Sequence, residues 1–224
     1  MTALSKRMVL TAAVMVSAAS LAGCGVNDIP TREERAKTAF SEVQNQYQRR
    51  ADLTPNLVAT VQGAAAQERN VLVEVTEARA KATSVTVDGS TITDPEKFRQ
   101  FQQAQDGLSS ALGRLMVVVE KYPDLKTNQN FLTLQSQLEG TENRIAIARR
   151  DYNEAVNDYN LSLRTFPSII WAKTIHGGSK PMERFEASAG AQNAPKVDFG
   201  PAAPAVAPNA APAAAPAAEP AKAN

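Results

Sequence analysis

The chain has 224 residues, with 24 Lys and Arg against 23 Asp and Glu, and only 5% of its side chains are aromatic. That near-neutral balance offers no basic face for phosphates and argues against a nucleic-acid partner. One cysteine leaves no internal disulfide, and one histidine argues against a histidine-rich metal site or a histidine-based triad on one chain.

Lys6 and Arg7 precede an apolar run from Met8 to Ala19, followed by Ser20-Leu21-Ala22-Gly23-Cys24. A basic start, a short apolar segment and small residues before a boundary describe an export signal over 1–23. The apolar run is shorter than the ~18 residues that normally span a bilayer. Leu21-Ala22-Gly23-Cys24 looks like a bacterial lipobox, in which the Cys24 thiol takes diacylglycerol and cleavage falls just before it. The bland alternative is an ordinary signal or short anchor helix with an incidental cysteine. The lipidated reading is preferred because the chain's one cysteine occupies that position. One acyl chain holds a protein only marginally, whereas two or three give lasting attachment. Loss of 1–23 removes Lys6 and Arg7 and no acid, leaving 22 basic against 23 acidic residues. Gly25 follows the cysteine where an Asp would resemble an inner-membrane retention signal, so the outer membrane is expected in a Gram-negative cell.

Residues 24–30 read as a tether. Thr31-Arg-Glu-Glu34 has the form of a capping box opening a first helix over about 32–51, with Ala36, Phe40, Val43, Tyr47 and Arg50 on one face. Pro55 argues against a straight continuation, and Asp52 or Thr54 would cap a second helix reaching about residue 83. Its stripe is Leu57, Val61, Ala64, Glu68, Val71, Val75, Ala78 and Ala82. A fold-back of the two helices and one kinked rod both remain open at this stage. Ser84–Thr93 is expected to be a loop. Asp94-Pro95 opens a third helix with Phe98, Phe101, Gln105, Leu108, Leu112, Leu115, Val119 and Tyr122 in step, ended by Tyr122-Pro123. The connection is so short that the third and fourth helices must be antiparallel neighbours.

The fourth segment, Asp124 to Pro167, carries the longest periodic pattern. Phe131, Leu134, Leu138, Thr141, Ile145, Ala148, Tyr152, Ala155, Tyr159, Ser162 and Phe166 recur at three- and four-residue steps. Such a rod needs partner helices to cover its stripe, and the expected class is all-α. Residues 168–200 read as irregular, with Trp171, Phe185 and Phe199 able to pin them to the helices. The Ala/Pro-rich stretch 201–224 reads as a disordered tail, and a wall-reaching spacer is its functional alternative.

Several motifs carry a resemblance. Arg49-Arg50-Ala-Asp-Leu-Thr-Pro-Asn-Leu-Val58, Tyr122-Pro-Asp-Leu-Lys126, Asn130-Phe-Leu132, Glu139-Gly-Thr-Glu-Asn-Arg144 and Ala148-Arg-Arg-Asp-Tyr-Asn153 occur in order. Tyr159-Asn160 through Phe166-Pro167, Phe185-Glu186-Ala187 and Ala194-Pro-Lys-Val-Asp-Phe199 follow. Over about 31–199 the chain resembles the LemA family. The resemblance implies an antiparallel four-helix bundle, here spanning 31–167, held to a membrane by its N-terminus. It implies no established enzymatic activity, and relatives associated with envelope or membrane organisation, including magnetosome formation. The lipobox in place of a transmembrane helix and the Ala/Pro tail depart from the family pattern.

Tyr152-Asn153 and Tyr159-Asn160 repeat at seven residues and project from one side of the fourth helix. They could form an interaction strip. The blander reading puts the tyrosines in the core and lets the asparagines fix register with neighbouring helices. Glu68, Glu142 and Arg149 are expected in buried or half-buried ion pairs, because the Glu-x-x-His pairs of a two-metal bundle are missing. His176, beside Gly177-Gly178, reads as a solvated loop residue. No Gly-rich phosphate loop, nucleophile elbow or zinc spacing occurs, so no catalytic residue, cofactor or metal is expected. The expected function is a non-enzymatic, lipid-anchored scaffold or adaptor of the bacterial envelope. Its partners would be the membrane, through Cys24, and an envelope protein that the sequence does not name. A protein holding an apolar ligand between its helices is the alternative.

Overall fold

The structure, a computed structural model, describes residues 25–186. The signal and Cys24, residues 187–200 with Phe199, and the tail 201–224 lie outside the described residues. The elements are α1 (Asp28–Ala64), α2 (Arg69–Ser84), a 3-10 turn (Thr91–Thr93), α3 (Pro95–Val119), α4 (Pro123–Thr127), α5 (Gln129–Ser162) and α6 (Ser168–Thr174). The described residues contain no strand, as an all-α class requires.

The long helices alternate in direction. On α1 and α5, Arg35 pairs with Asp158 at 3.5 Å and Arg50 with Glu142 at 3.1 Å, so the two run antiparallel. Between α2 and α3, Glu74 pairs with Arg114 while Gln105 Nε2 donates to the Ala82 carbonyl at 3.1 Å. Arg149 of α5 lies 3.6 Å from Asp106 of α3, and Tyr152 stacks on Phe98 with centroids 6.2 Å apart.

Several boundaries differ from the sequence reading. The first helix runs unbroken through Pro55 to Ala64, and the chain turns at residues 65–68 instead. Proline lacks the N–H that would bond the carbonyl four residues back. Here that carbonyl, on Ala51, accepts from Arg79 Nε of α2 at 2.7 Å, so the neighbouring helix supplies the missing donor. The Thr31 capping box does not form. The N-cap is Asn27, and the Thr31 hydroxyl donates to the Asn27 carbonyl at 2.6 Å, one turn back within the helix. Asp94 caps α3 as expected, accepting from the Glu96 and Lys97 amides. Asp124 does not cap the fourth long helix. It sits in the one-turn α4, and Asn128 caps α5 through the Asn130 and Phe131 amides. Ser168–Thr174 is a helix where irregular chain was expected.

Two cores fill the body. Nearest residue 25, Phe40, Tyr47, Phe98, Phe101, Tyr152 and Phe185 are buried together, with Phe40 and Tyr152 centroids 5.3 Å apart. At the other end Leu57, Leu72, Leu108, Leu115, Leu125 and Leu138 form a largely aliphatic core around the buried ring of Phe131. The α5 stripe is buried from Phe131 to Ser162, apart from half-buried Leu134, but Phe166 at its end is 80% exposed.

Candidate functional site

Tyr152, Asn153, Tyr159 and Asn160 share one side of α5, and the structure lays an extended segment of the chain itself across them. Residues 180–186 follow the Gly177-Gly178 turn and run antiparallel to the last turns of α5. Asn160 Nδ2 donates to the Met182 carbonyl at 2.8 Å, and the Met182 amide donates back to Asn160 Oδ1 at 2.9 Å. Asn153 does the same with Phe185, both bonds at 2.9 Å. The Tyr159 and Tyr152 hydroxyls donate to the Lys180 and Glu183 carbonyls at 3.1 and 2.8 Å. Gln102 and Arg149 converge on the Glu186 carbonyl at 3.0 and 3.2 Å.

The match is metric. Seven helical residues rise ~10.5 Å, and three extended residues advance ~9–10 Å. The heptad repeat of Asn therefore meets every third residue of the strap, Met182 and then Phe185. An extended segment outside a sheet has unpaired amides and carbonyls, and burying them unpaired is costly. Each asparagine amide satisfies both groups of one strap residue. Met182 and Phe185 then turn inward and are buried, Phe185 at 4.9 Å from the Phe98 ring centroid and under the Arg149 guanidinium at 4.6 Å.

Burial pushes the Tyr152 hydroxyl well above the ordinary tyrosine range, with a smaller push from the Glu183 carboxylate, and burial also raises Tyr159. Both hydroxyls thus stay protonated as donors at neutral pH, and the strip binds main chain with neutral groups. In this structure its donors and acceptors are taken up by the main chain of the strap. The tyrosines occupy the core with their hydroxyls at its edge. The asparagines bond an extended strap, where neighbouring helices had been the expected partners.

A second polar cluster lies where the two cores meet. Arg50 is 1% exposed, and its guanidinium donates to Ser109 Oγ, to Glu142 Oε1 at 3.1 Å and to Gln105 Oε1 at 2.7 Å. Gln105 in turn donates to the Ala82 carbonyl, so Arg50 and Gln105 together join all four long helices. The buried Arg50 Nε has no hydrogen-bond partner, and the guanidinium carbon sits 5.0 Å from the Tyr47 ring centroid. The only sign of this cluster in the sequence was a pair of polar residues, Arg50 and Gln105, on otherwise apolar stripes.

Glu142 and Arg149 are ion-paired as expected, with Arg50 and Asp106. Glu68 is not. It stands at the start of α2, half-buried, and accepts from the Tyr122 hydroxyl at 3.0 Å. His176 is no solvated loop residue either, because its Nε2 lies 3.0 Å from the Val26 carbonyl. Among the described residues no cluster of three His, Cys, Asp or Glu side chains could hold a metal ion.

The profile of the LemA family matches residues 39–199, most of the chain, helical body and strap together. The chain belongs to the LemA family. Among curated relatives, the magnetosome proteins MamQ 1 and MamQ 2 of Paramagnetospirillum magneticum are 27% identical to it over 157 residues. The magnetosome protein MamQ of Magnetospirillum gryphiswaldense is 26% identical over 157 residues. Each match covers 63% of this LemA-family chain and 58% of the relative's length.

Proposed function

We propose that this LemA-family chain is a non-enzymatic, lipid-anchored scaffold or adaptor of the bacterial cell envelope, attached through Cys24 and facing the periplasm or cell exterior. The outer membrane is its site in a Gram-negative cell, by the Gly25 argument. The observation that carries the reading is the seating of Gly25. A Cβ built on Gly25 would lie 3.3 Å from Trp171 Nε1, and the next carbonyl, on Val26, meets His176. The residue following the acylated cysteine is thus already part of the packed body, and an anchor there holds the whole body against the bilayer. Membership of the LemA family and relatives named as magnetosome proteins support a membrane-associated protein.

Metabolic labelling with palmitate tests the anchor. Wild type takes label and is processed, while Cys24→Ser keeps its signal and takes none. Equal labelling of the two discards the lipid anchor. A photo-crosslinker at Val117, which is 68% exposed, tests the adaptor role in intact cells. A discrete adduct with one envelope protein supports it, and the absence of any adduct from several exposed positions opposes it.

One observation favours the second reading, a protein that holds an apolar ligand between its helices. Beyond the strap, the seam between α3 and α5 opens into a groove of about 540 Å³ lined by Leu112, Met116 and Leu138, with Glu142 at its edge. Saturable binding of a fluorescent fatty acid, abolished by Met116→Trp, would support that reading. The scaffold reading expects no saturable site.

A further inference from the structure

Large apolar side chains are unevenly exposed. Of the eight among the described residues, Leu161, Phe166, Ile170 and Ile175 all fall within the short segment that closes the end of the body nearest residue 25. Val73, Val117, Leu132 and Ile147 are scattered elsewhere along the helices. Phe166 is 80% exposed although it sits at the end of the longest apolar stripe in the chain. Leu161 and Phe166 line one shallow groove, and exposed apolar surface gathered in one segment marks a contact face more often than an accident of composition.

We propose that the segment Leu161–Ile175 lies in the interface of a lipid bilayer, with Phe166 and Ile170 inserted among the acyl chains and Arg164 and Lys173 at the headgroups.

Three features select lipid as the occupant. First, the chain leads there. Gly25 packs against Trp171 of α6, and Asp28 accepts from the Ser168 hydroxyl at 3.3 Å, so the start of the described chain is fastened to this segment. Immediately before Gly25 stand Cys24 and the apolar run Met8–Ala19. Either as an acylated cysteine or as a retained apolar segment, the membrane attachment begins one residue from the face. Second, the charge is suited to anionic headgroups. From Tyr159 to Met182 the sequence contains no Asp or Glu, while Arg164, Lys173 and Lys180 are exposed and form none of the ion pairs among the described residues. The acids nearest the face, Asp28 and Asp158, are neutralised by Arg32 at 2.9 Å and Arg35 at 3.5 Å. Third, Trp171, half-buried against the aromatic core, lies within the segment, and an indole favours the headgroup level. The strap bonded to Tyr152–Asn160 ties the following chain back to the body, so the face is held on a packed support.

The proposal orients the molecule. α1 and α5 would stand away from the bilayer, and the aliphatic core with the α3–α5 groove would lie at the far end. It rests on membrane attachment as proposed above, but not on which chemistry supplies it.

Trp171 is the chain's one tryptophan, which makes it a native probe. The full-length protein is purified from membranes and reconstituted into phosphatidylethanolamine–phosphatidylglycerol vesicles, with and without bromine on the acyl chains. Bromolipid should quench Trp171 in wild type, and Phe166→Asp/Ile170→Asp should abolish most of that quenching. The far-ultraviolet circular dichroism should not change, because both positions are exposed. Equal quenching in wild type and variant would mean that the attachment alone brings Trp171 to the membrane, and would overturn the face. A variant that changes only self-association, measured by sedimentation in the absence of lipid, would assign the face to a second copy and overturn it as well. Vesicle flotation of Cys24→Ser separates the two readings. If it floats like wild type while the double variant does not, the face binds lipid and the acylated anchor is wrong. If it fails to float and quenching is insensitive to the double variant, the anchor stands and the face falls.

Discussion

The half of the body that contains residue 25 packs most of the buried aromatic rings, and the opposite half packs mainly aliphatic side chains around Phe131; the side chains that bind main chain follow a similar division. In the aliphatic half, helix backbones satisfy their own amides and carbonyls except at Ala51, whose carbonyl is met by Arg79, so α1, α2, α3 and the first turns of α5 need mainly shape and apolar surface. In the aromatic half α2 has ended at Ser84, and the enclosure is completed by the loop with Val85, Val87 and Ile92 and by the strap 180–186. The strap is extended and the loop holds only the one 3-10 turn Thr91–Thr93, so both bring backbone groups that must find partners. The tyrosines and asparagines of α5 are there to meet that requirement, together with Gln102, Arg149 and the Ile92 carbonyl, which accepts from the Glu183 amide at 2.7 Å. Side-chain polarity thus appears in a core where regular secondary structure runs out, and Arg50 stands at the junction of the two halves.

The largest expected effects are at the buried stripe of α5, in either half. Leu138 is 4% exposed, and Leu138→Ala should cost about 2–5 kcal/mol in urea unfolding of the protein. Ile145→Ala, in the aromatic half, should fall in the same range. Arg150→Ala, fully on the surface, should stay within about 0.5 kcal/mol of wild type. Comparable losses at all three positions would remove the distinction between stripe and surface.

A smaller and more local effect is expected from the strip. Asn160→Ala leaves the amide and carbonyl of buried Met182 without partners, a penalty of about 1–3 kcal/mol. Hydrogen exchange should accelerate at Met182 and Phe185 and remain unchanged in α2 and the second half of α3. A uniform acceleration through both halves would mean that the strap and the aliphatic core unfold as one unit.

The tyrosines sharpen the comparison further. Burial raises Tyr47 to about 12 and Tyr152 higher still, and both belong to the aromatic core. Tyr122, in the aliphatic half, is also raised, by partial burial and by the Glu68 carboxylate. A phenol whose folded pKa is raised adds stability that is fully present below the unfolded value of ~10 and is lost as pH rises toward the folded value. Phenolate absorbance should therefore show Tyr122 ionising before Tyr47 and Tyr152, with alkaline unfolding beginning in the aromatic half. Loss of the Tyr152 signal in Tyr152→Phe assigns the late step, and an early Tyr152 step would contradict its burial.

The smallest effect belongs to the loop that closes the aromatic half. The Ser90 hydroxyl and amide hold the Asp88 carboxyl at about 2, with Lys97 assisting. Its contribution to loop order is present above ~3.9 and lost as pH falls through the folded value. Ser90→Ala should move the carboxyl titration upward in an NMR pH series; an unmoved midpoint would give Asp88 a different stabiliser.

Periodicity alone determined the all-α class, the α5 stripe and the Asp94 cap, because apolar spacing and a capping side chain act within a few residues of one another. The same local information pointed to Tyr152, Asn153, Tyr159 and Asn160 as a strip, since a seven-residue repeat puts them on one face whatever lies opposite. Only the tertiary structure decided what lies opposite. The strap reaches them from the far side of α6, and no local pattern encodes that its every third residue would match a heptad. The continuity of α1 was hidden for the same reason. Pro55 signals a break to any reading of its neighbours, and the Arg79 donor that repairs it comes from another helix. Phe166 continued the stripe in sequence, but the chain leaves the helix after Ser162, so its side chain parts from the core. His176 and Glu68 found partners, Val26 and Tyr122, that lie far away along the chain. Short-range spacing sets which residues share a face; long-range packing sets what that face meets, and a single sequence carries the second only through the fold.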